Sequence, residues 1–399
     1  MTLKIGVTFL FVILMITSVW YGVVAAEEWP GDAQRELVKS RQKSFPVNSY
    51  VYDTDWFSPL EIVVGNNSWP LPRALKDNAQ HHEAIALAKQ HDSYALLVWQ
   101  RGVVTLEYYG SGFSRNTLFD TASMHKSVVA LLFGTLLDDG LLDSLDDPAE
   151  KYLPELQGTK VGRAPIRSML EMTSGIKTPL FDNPVDNPYT YAYFGNDLHT
   201  AFARWPVPSA PYEEFQYANA NTQYLGWIIE AVTGKRYAQY LSEKIWQPAG
   251  ASTAKVWLDK PDGSARMACC LQATAEDWLR TGIILAQGGR INGKQLVSAK
   301  WTTQMMAPGT IFPNYGWQVW RGSPHNPARI YGKDIPAVIP AAAPFAADDT
   351  IFFDGSGGQR VYVSPSQSMV IVRIGRPSKT WDDSALPNIL MTANKNNNG

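Results

Sequence analysis

Ser123-Met-His-Lys-Ser-Val-Val-Ala-Leu-Leu-Phe-Gly-Thr-Leu-Leu-Asp-Asp-Gly140 is the stretch on which the reading of this chain turns. Met124, Val128, Leu131, Leu132, Phe133, Leu136 and Leu137 recur at helical spacing, which predicts a helix over 123–139. Gly140, directly behind Asp138 and Asp139, supplies the stop. The helix opens with Ser-x-x-Lys. Positions i and i+3 share a helix face, so the Lys126 amine is within reach of the Ser123 hydroxyl. Unpaired N–H groups and the positive end of the helix dipole lie beside that serine. A lysine among apolar residues loses solvation, which favours its neutral form and makes it a base. The same spacing recurs at Ser40/Lys43, Ser174/Lys177 and Ser252/Lys255, but only Ser123 opens a long apolar helix directly after a strand-like segment. His125 falls between the pair and points elsewhere on the helix.

Upstream, 94–99 and 103–109 are β-rich runs around Arg101-Gly102 and read as a hairpin. Downstream, helices are expected from near Thr222 to Val232, stopped by Gly234, and over Ala275–Gln287, capped by Thr274. Strand-like runs follow at 316–320, 350–353, 360–363 and 369–374. Strands, a helical middle and strands again imply one sheet assembled from both ends of the chain. The expected organisation is an irregular wrapping segment over 27–90 and one domain over 91–399, with a helical insertion at about 143–275.

The chain has 399 residues, 45% hydrophobic and only 18% charged, enough to bury a large core without staples. Its net charge of −2 and lack of any basic block argue against a nucleic-acid partner. The two cysteines, Cys269 and Cys270, are adjacent, and neighbours rarely pair because the geometry is strained. The six histidines make no metal-binding spacing, and no phosphate loop is present, so neither metal nor cofactor is expected. Lys4 precedes an uncharged run, Ile5 to Ala26, long enough to span a hydrocarbon core of ~30 Å. Val24-Ala25-Ala26 offers a peptidase site. Residues 1–26 are therefore a membrane anchor or a cleaved signal. Either places the body in the periplasm or outside the cell, with the membrane touched only through residues 5–26 if they are retained.

A serine nucleophile needs a second group to move a proton to the leaving group. Tyr217-Ala-Asn219, ahead of the Thr222 helix, offers one. Asp354-Gly355-Ser356-Gly357-Gly358-Gln359, between two β-rich runs, offers bare N–H groups. With the Ser123 N–H, one of them makes an oxyanion hole. These three pieces, in this order, resemble the serine β-lactamase-related family of class C β-lactamases, DD-peptidases and esterases. Their closest likeness is to the 6-aminohexanoate-dimer hydrolase branch. The likeness runs over about residues 90–375 and includes Leu142-Asp-Ser-Leu-Asp-Asp-Pro148, Tyr152-Leu-Pro-Glu-Leu156, Leu170-Glu-Met-Thr-Ser-Gly175 and Tyr217-Ala-Asn-Ala-Asn-Thr-Gln-Tyr-Leu-Gly226. It implies an α/β (α+β) fold of β-lactamase/transpeptidase type: an antiparallel sheet flanked by helices, an all-helical region, and the active site in the cleft between them. It assigns Ser123 as nucleophile, Lys126 and Tyr217 as proton-transfer partners, and Asn219 as a polar neighbour. The oxyanion and substrate contacts fall to Ser356, Gly355 and Gly357, with Ser356 favoured.

The penicillin-recognising members carry Lys-Thr-Gly or His-x-Gly in the third motif, whereas Phe352-Phe353-Asp354 stands there in this chain. An acid in place of a cation is expected to repel substrate carboxylates. The expectation is therefore an exported serine hydrolase of small esters or amides, working without a cofactor through an acyl-enzyme on Ser123. The alternative is a penicillin-binding DD-peptidase or β-lactamase. Tyr189, Tyr191, Tyr193, Phe194 and Trp205 are candidates to line the acyl pocket.

Overall fold

The computed structural model describes residues 29–179, 186–335 and 338–391. The apolar run at 5–26 and Phe181 lie outside them. Among the described residues, no helix is long and apolar enough to cross a membrane.

Both ends of the chain build one six-stranded antiparallel sheet. Its order is Val103–Tyr109, Ser93–Gln100, Met369–Gly375, Gln359–Ser364, Ile351–Gly355 and Trp320–Arg321. The first two strands form the expected hairpin, turning at Arg101 and Gly102 with φ of 50° and 97°. The pleat sends Val361, Val363, Val370 and Val372 to one face, against the helix Ala275–Ala286. That helix starts where Thr274 accepts the Asp277 N–H, and its Gly282 lets the helix close onto Val370 and Val361. Phe352, Tyr362 and Ile371 point the other way, with the helices Ala79–Gln90 and Ala385–Leu390 covering that side. The result is a helix–sheet–helix sandwich beside a helical region that includes Ile166–Leu170, Pro188–Phe194, Leu198–Ala203 and Asn219–Thr233.

Three expectations need correction. The 27–90 segment is not irregular: it holds the helices Asp32–Ser44 and Ala79–Gln90 and the strand Leu60–Val63. That strand belongs to a second, four-stranded antiparallel sheet, ordered Leu60–Val63, Ala254–Trp257, Leu271–Thr274, Leu118–Asp120. Strands of three or four residues leave too short a period to read from sequence. The run 316–320 is mostly not a strand. Gln318 has a φ of 58°, and its side chain turns inward to the carbonyls of Met169 and Leu170.

The helix His125–Asp138 follows a short 3₁₀ turn, Ala122–Met124, and packs against Asn219–Thr233. Every residue from Met124 to Leu136 is buried, because the helix runs between the two sheets' common core and the helical region. The two helices stop at Gly140 and Gly234, with φ of 69° and 64°. Gly355 lies where the third-motif strand meets the 122–124 turn, and a Cβ on it would sit 2.2 Å from the Thr121 carbonyl oxygen. Gly355→Ala is therefore expected to cost about 1–3 kcal/mol by overpacking against backbone. It should appear as a lower thermal midpoint accompanied by loss of activity.

Candidate active site

The nucleophile turn begins at Asp120. Its carboxylate accepts the Ala122 N–H at 2.9 Å, and Ala122 takes the left-handed φ of 51°. Burial raises the Asp120 pKa to about 7. The sequence reading passed over this residue, although its place three positions before Ser123 on a β-strand end was a signal that it shapes the turn. The wrapping segment braces the turn from outside, since the Asp120 N–H donates to the Val51 carbonyl at 2.8 Å.

Ser123 is half-buried at the cleft, and the Lys126 Nζ donates to its Oγ at 2.8 Å. The same amine donates to the Ala268 carbonyl at 2.5 Å. Lys126 is 1% exposed, and burial pulls its pKa down to about 7, opposed only by the charge of Asp354. Tyr217 stands across from it: the Lys126 Nζ lies 5.0 Å from the Tyr217 ring centre, and the phenol hydrogen-bonds with Ser123. Burial, with Tyr315 and the Asp354 charge adding, drives the phenol pKa well up and keeps it protonated. Tyr217 is fixed by stacking on Trp320 (5.7 Å between centres) and by its N–H, which donates to the Tyr331 carbonyl at 2.8 Å. Asn219 starts the next helix and is hydrogen-bonded with the Tyr189 side chain. Ser123, Lys126 and Tyr217 are thus gathered at one point, while Asn219 pairs with Tyr189.

His125 faces away, as expected. Its Nδ1 lies 2.6 Å from the Cys269 carbonyl and its Nε2 2.7 Å from the Tyr237 hydroxyl, and burial holds its pKa near 4. The neutral ring anchors the 266–270 segment, which also delivers the Ala268 carbonyl to Lys126. That segment corrects the cysteine reading, because Cys269 and Cys270 form a disulfide with each other. Side chains of neighbouring extended residues point apart, but Cys270 is left-handed, at φ 72°, and this brings the two sulfurs to one side.

The third motif divides. Ser356 is exposed at the turn behind Gly355, and its carbonyl is braced by the Tyr50 hydroxyl at 3.0 Å. Gly357, at φ 77°, packs against Pro377. Asp354 is the larger correction. It is 5% exposed and ion-paired to Arg329 at 3.2 Å and Arg360 at 2.6 Å. Both arginines also pair with the buried Asp383, and Tyr331 donates to Asp354 at 2.6 Å. The array is neutral, two acids with two guanidiniums, and it holds the Asp354 pKa down to about 2 despite burial. A neutralised acid does not repel substrate carboxylates. Arg329 arrives on the hairpin Ala328–Ile330/Val338–Pro340, far from Asp354 in sequence, so its pairing was invisible there.

Next to Ala268, whose carbonyl holds Lys126, lies a narrow pocket of about 10 Å³ with Tyr189, Tyr193, Trp205, Asn219 and Cys269 among its walls. Of the aromatic candidates, Tyr191 instead packs under Trp29, and Phe194 against Phe45 and Tyr193. Among the described residues no group of acids, histidines or cysteines is placed to hold a metal.

The model of the Beta-lactamase family matches residues 76–376. The chain belongs to the beta-lactamase family. It is 30% identical over 234 residues to the 6-aminohexanoate-dimer hydrolase of Paenarthrobacter ureafaciens, a match over 54% of this chain and 57% of that protein. A Bacillus anthracis structure assigned as a 6-aminohexanoate-dimer hydrolase superposes with a TM-score of 0.69 at 23% identity, over 84% of this chain and 89% of that one. A penicillin-binding protein homologue from Caulobacter crescentus gives 0.63 at 17% identity, over 80% and 98%. Those two likenesses establish the β-lactamase/transpeptidase-like fold, in a family of serine hydrolases.

Removing the Asp354 charge leaves Arg329 and Arg360 short of a partner in the interior. Asp354→Asn should cost about 3–5 kcal/mol of stability. It also withdraws the one charge that raises the Lys126 pKa. The acid limb of the pH–activity profile should therefore move to lower pH, read alongside the thermal midpoint.

Proposed function

We propose that this protein is an exported serine hydrolase that cleaves small esters or amides through an acyl-enzyme on Ser123. The observation that carries the reading is the 2.8 Å contact between Ser123 Oγ and an amine whose pKa burial lowers to about 7. At neutral pH a large share of that amine is unprotonated. It takes the hydroxyl proton as Ser123 attacks the carbonyl carbon. The Ala268 carbonyl, already bonded to Nζ, holds the ammonium that results. Negative charge gathers on the substrate oxygen, which the N–H groups of Ser123 and Ser356 receive. The Tyr217 phenol, kept protonated and hydrogen-bonded with Ser123, passes a proton to the departing alcohol or amine and recovers one from Lys126. Water then enters by the same route in reverse and frees the acyl group.

The relatives named as 6-aminohexanoate-dimer hydrolases support amide or ester cleavage over β-lactam recognition. So does the third motif, whose neighbouring guanidiniums, Arg329 and Arg360, are both held by Asp354 and Asp383. Export rests on the apolar run 5–26 behind Lys4. Cleavage by protease added to the outside of intact cells or spheroplasts is the expected result, and full protection contradicts it.

A fluorophosphonate should label Ser123 alone, and Ser123→Ala should abolish both labelling and ester hydrolysis. Labelling at another serine rejects the assignment. The pH dependence has a defined sign. Lys126 is active as the free amine, so kcat/KM should rise as pH passes through about 7 and then level off.

A further inference from the structure

The family match begins at residue 76, yet a turn over 46–53 reaches the site from outside it. Two adjacent residues of that turn grip both halves of the oxyanion hole proposed above. The Val51 carbonyl accepts the Asp120 N–H at 2.8 Å, at the end of the strand that leads to Ser123. The Tyr50 hydroxyl donates to the Ser356 carbonyl at 3.0 Å, 306 positions along the chain. The turn itself is closed twice. The Pro46 carbonyl accepts the N–H groups of Ser49 and Tyr50, and the Ser49 carbonyl accepts those of Tyr52 and Asp53. Val51 is fully buried in the main core, and the Tyr50 ring stacks on Phe45 with 5.7 Å between centres. Burial, with the Asp120 charge adding, raises the Tyr50 pKa, so the phenol remains a donor.

The Ser356 turn needs such a hold. Ser356 is exposed and sits among Gly355, Gly357 and Gly358, the last two at φ of 77° and 88°. Glycines let a backbone sample conformations that other residues exclude. Among the described residues, the other donor to the Ser356 carbonyl is the Gln359 Nε2, at 3.4 Å, a weaker contact. An oxyanion donor acts only when its N–H is aimed before the charge develops. We propose that Tyr50 is a positioning residue for the reaction: by clamping the Ser356 carbonyl it keeps the Ser356 N–H aligned with that of Ser123. The proposal rests on the hydrolase reading above and adds to it a residue from outside the family match. A phenol that merely satisfied its own burial would affect stability and leave turnover alone.

The test is Tyr50→Phe in the whole protein, which keeps the stack on Phe45 and removes the hydroxyl. Deleting an oxyanion donor lowers kcat by about 10²–10³, so a donor left loose should lower it about 10- to 100-fold. KM for a p-nitrophenyl ester should stay within about twofold, because the carbonyl oxygen carries the charge only in the transition state. A boronic acid, whose tetrahedral adduct on Ser123 places an oxygen in the hole, should bind more weakly by about the factor lost in kcat. Tyr52→Phe, at an exposed tyrosine of the same turn, should change none of these. Equal kcat in Tyr50→Phe and the wild type overturns the proposal, whatever the shift in thermal midpoint. So does a fall in kcat that leaves boronic acid affinity unchanged. If fluorophosphonate labels Ser123 and Tyr50→Phe turns over normally, only the clamp fails. If Ser123 is unlabelled and no ester turns over, the hydrolase reading fails and takes this proposal with it.

Discussion

A primary amine kept from water is the constraint around which this molecule is arranged. Lys126 sits on a helix with no exposed residue from Met124 to Leu136, and among the described residues its Nζ meets only the Ser123 hydroxyl and the Ala268 carbonyl as hydrogen-bond partners. Desolvation of the ammonium form outweighs the single opposing charge, Asp354, and the pKa settles near 7. An amine in this position is destabilising to bury charged, so the fold selects the neutral form that the proposed chemistry uses. The linkage has a stability consequence. Between about 7 and the ordinary lysine value the unfolded chain binds the extra proton, so Lys126's contribution to stability improves as pH rises through that window.

The surrounding parts keep that arrangement without adding net charge. Asp354 lies close enough to act on both Lys126 and Tyr217, and a bare carboxylate there would raise the lysine pKa and cancel the effect of burial. Arg329, Arg360 and Asp383 absorb it into a neutral four-group array, and Tyr331 ties the array to the backbone of Tyr217. On the opposite wall, His125 is held neutral between the Cys269 carbonyl and Tyr237, so it fixes the 266–270 segment without competing for the Ser123 proton. The Cys269–Cys270 ring and the Arg266 contacts to three carbonyls stiffen the same segment.

Where the sequence reading succeeded, the information was local. The helix behind Ser123, its stop at Gly140, the Thr274 cap and the 93–109 hairpin each depend on residues within a few positions of one another, and all are present. Short-range period also placed Ser123 and Lys126 on one face. The brief strands at 60–63, 118–120 and 254–257 went unread because each is stabilised by partners from a distant part of the chain. Gln318 broke an apparently β-rich run for the same reason, its side chain being drawn to Met169, Leu170 and Thr222.

The sequence by itself determined the family, the antiparallel sheet built from both chain ends, and the order serine, lysine, tyrosine, glycine turn. Those properties follow from the identity and spacing of residues, which folding does not alter. Tertiary structure alone decided the electrostatics. Whether Asp354 is a repelling acid or half of a neutral pair depends on Arg329 and Arg360 lying within about 3 Å of it, and Arg329 comes from a separate hairpin. Whether Arg266 is a surface charge or a buried cation depends on its packing against Trp257 and three carbonyls. Charge in a low-dielectric interior is governed by neighbours a few ångströms away, and chain separation carries no record of those distances.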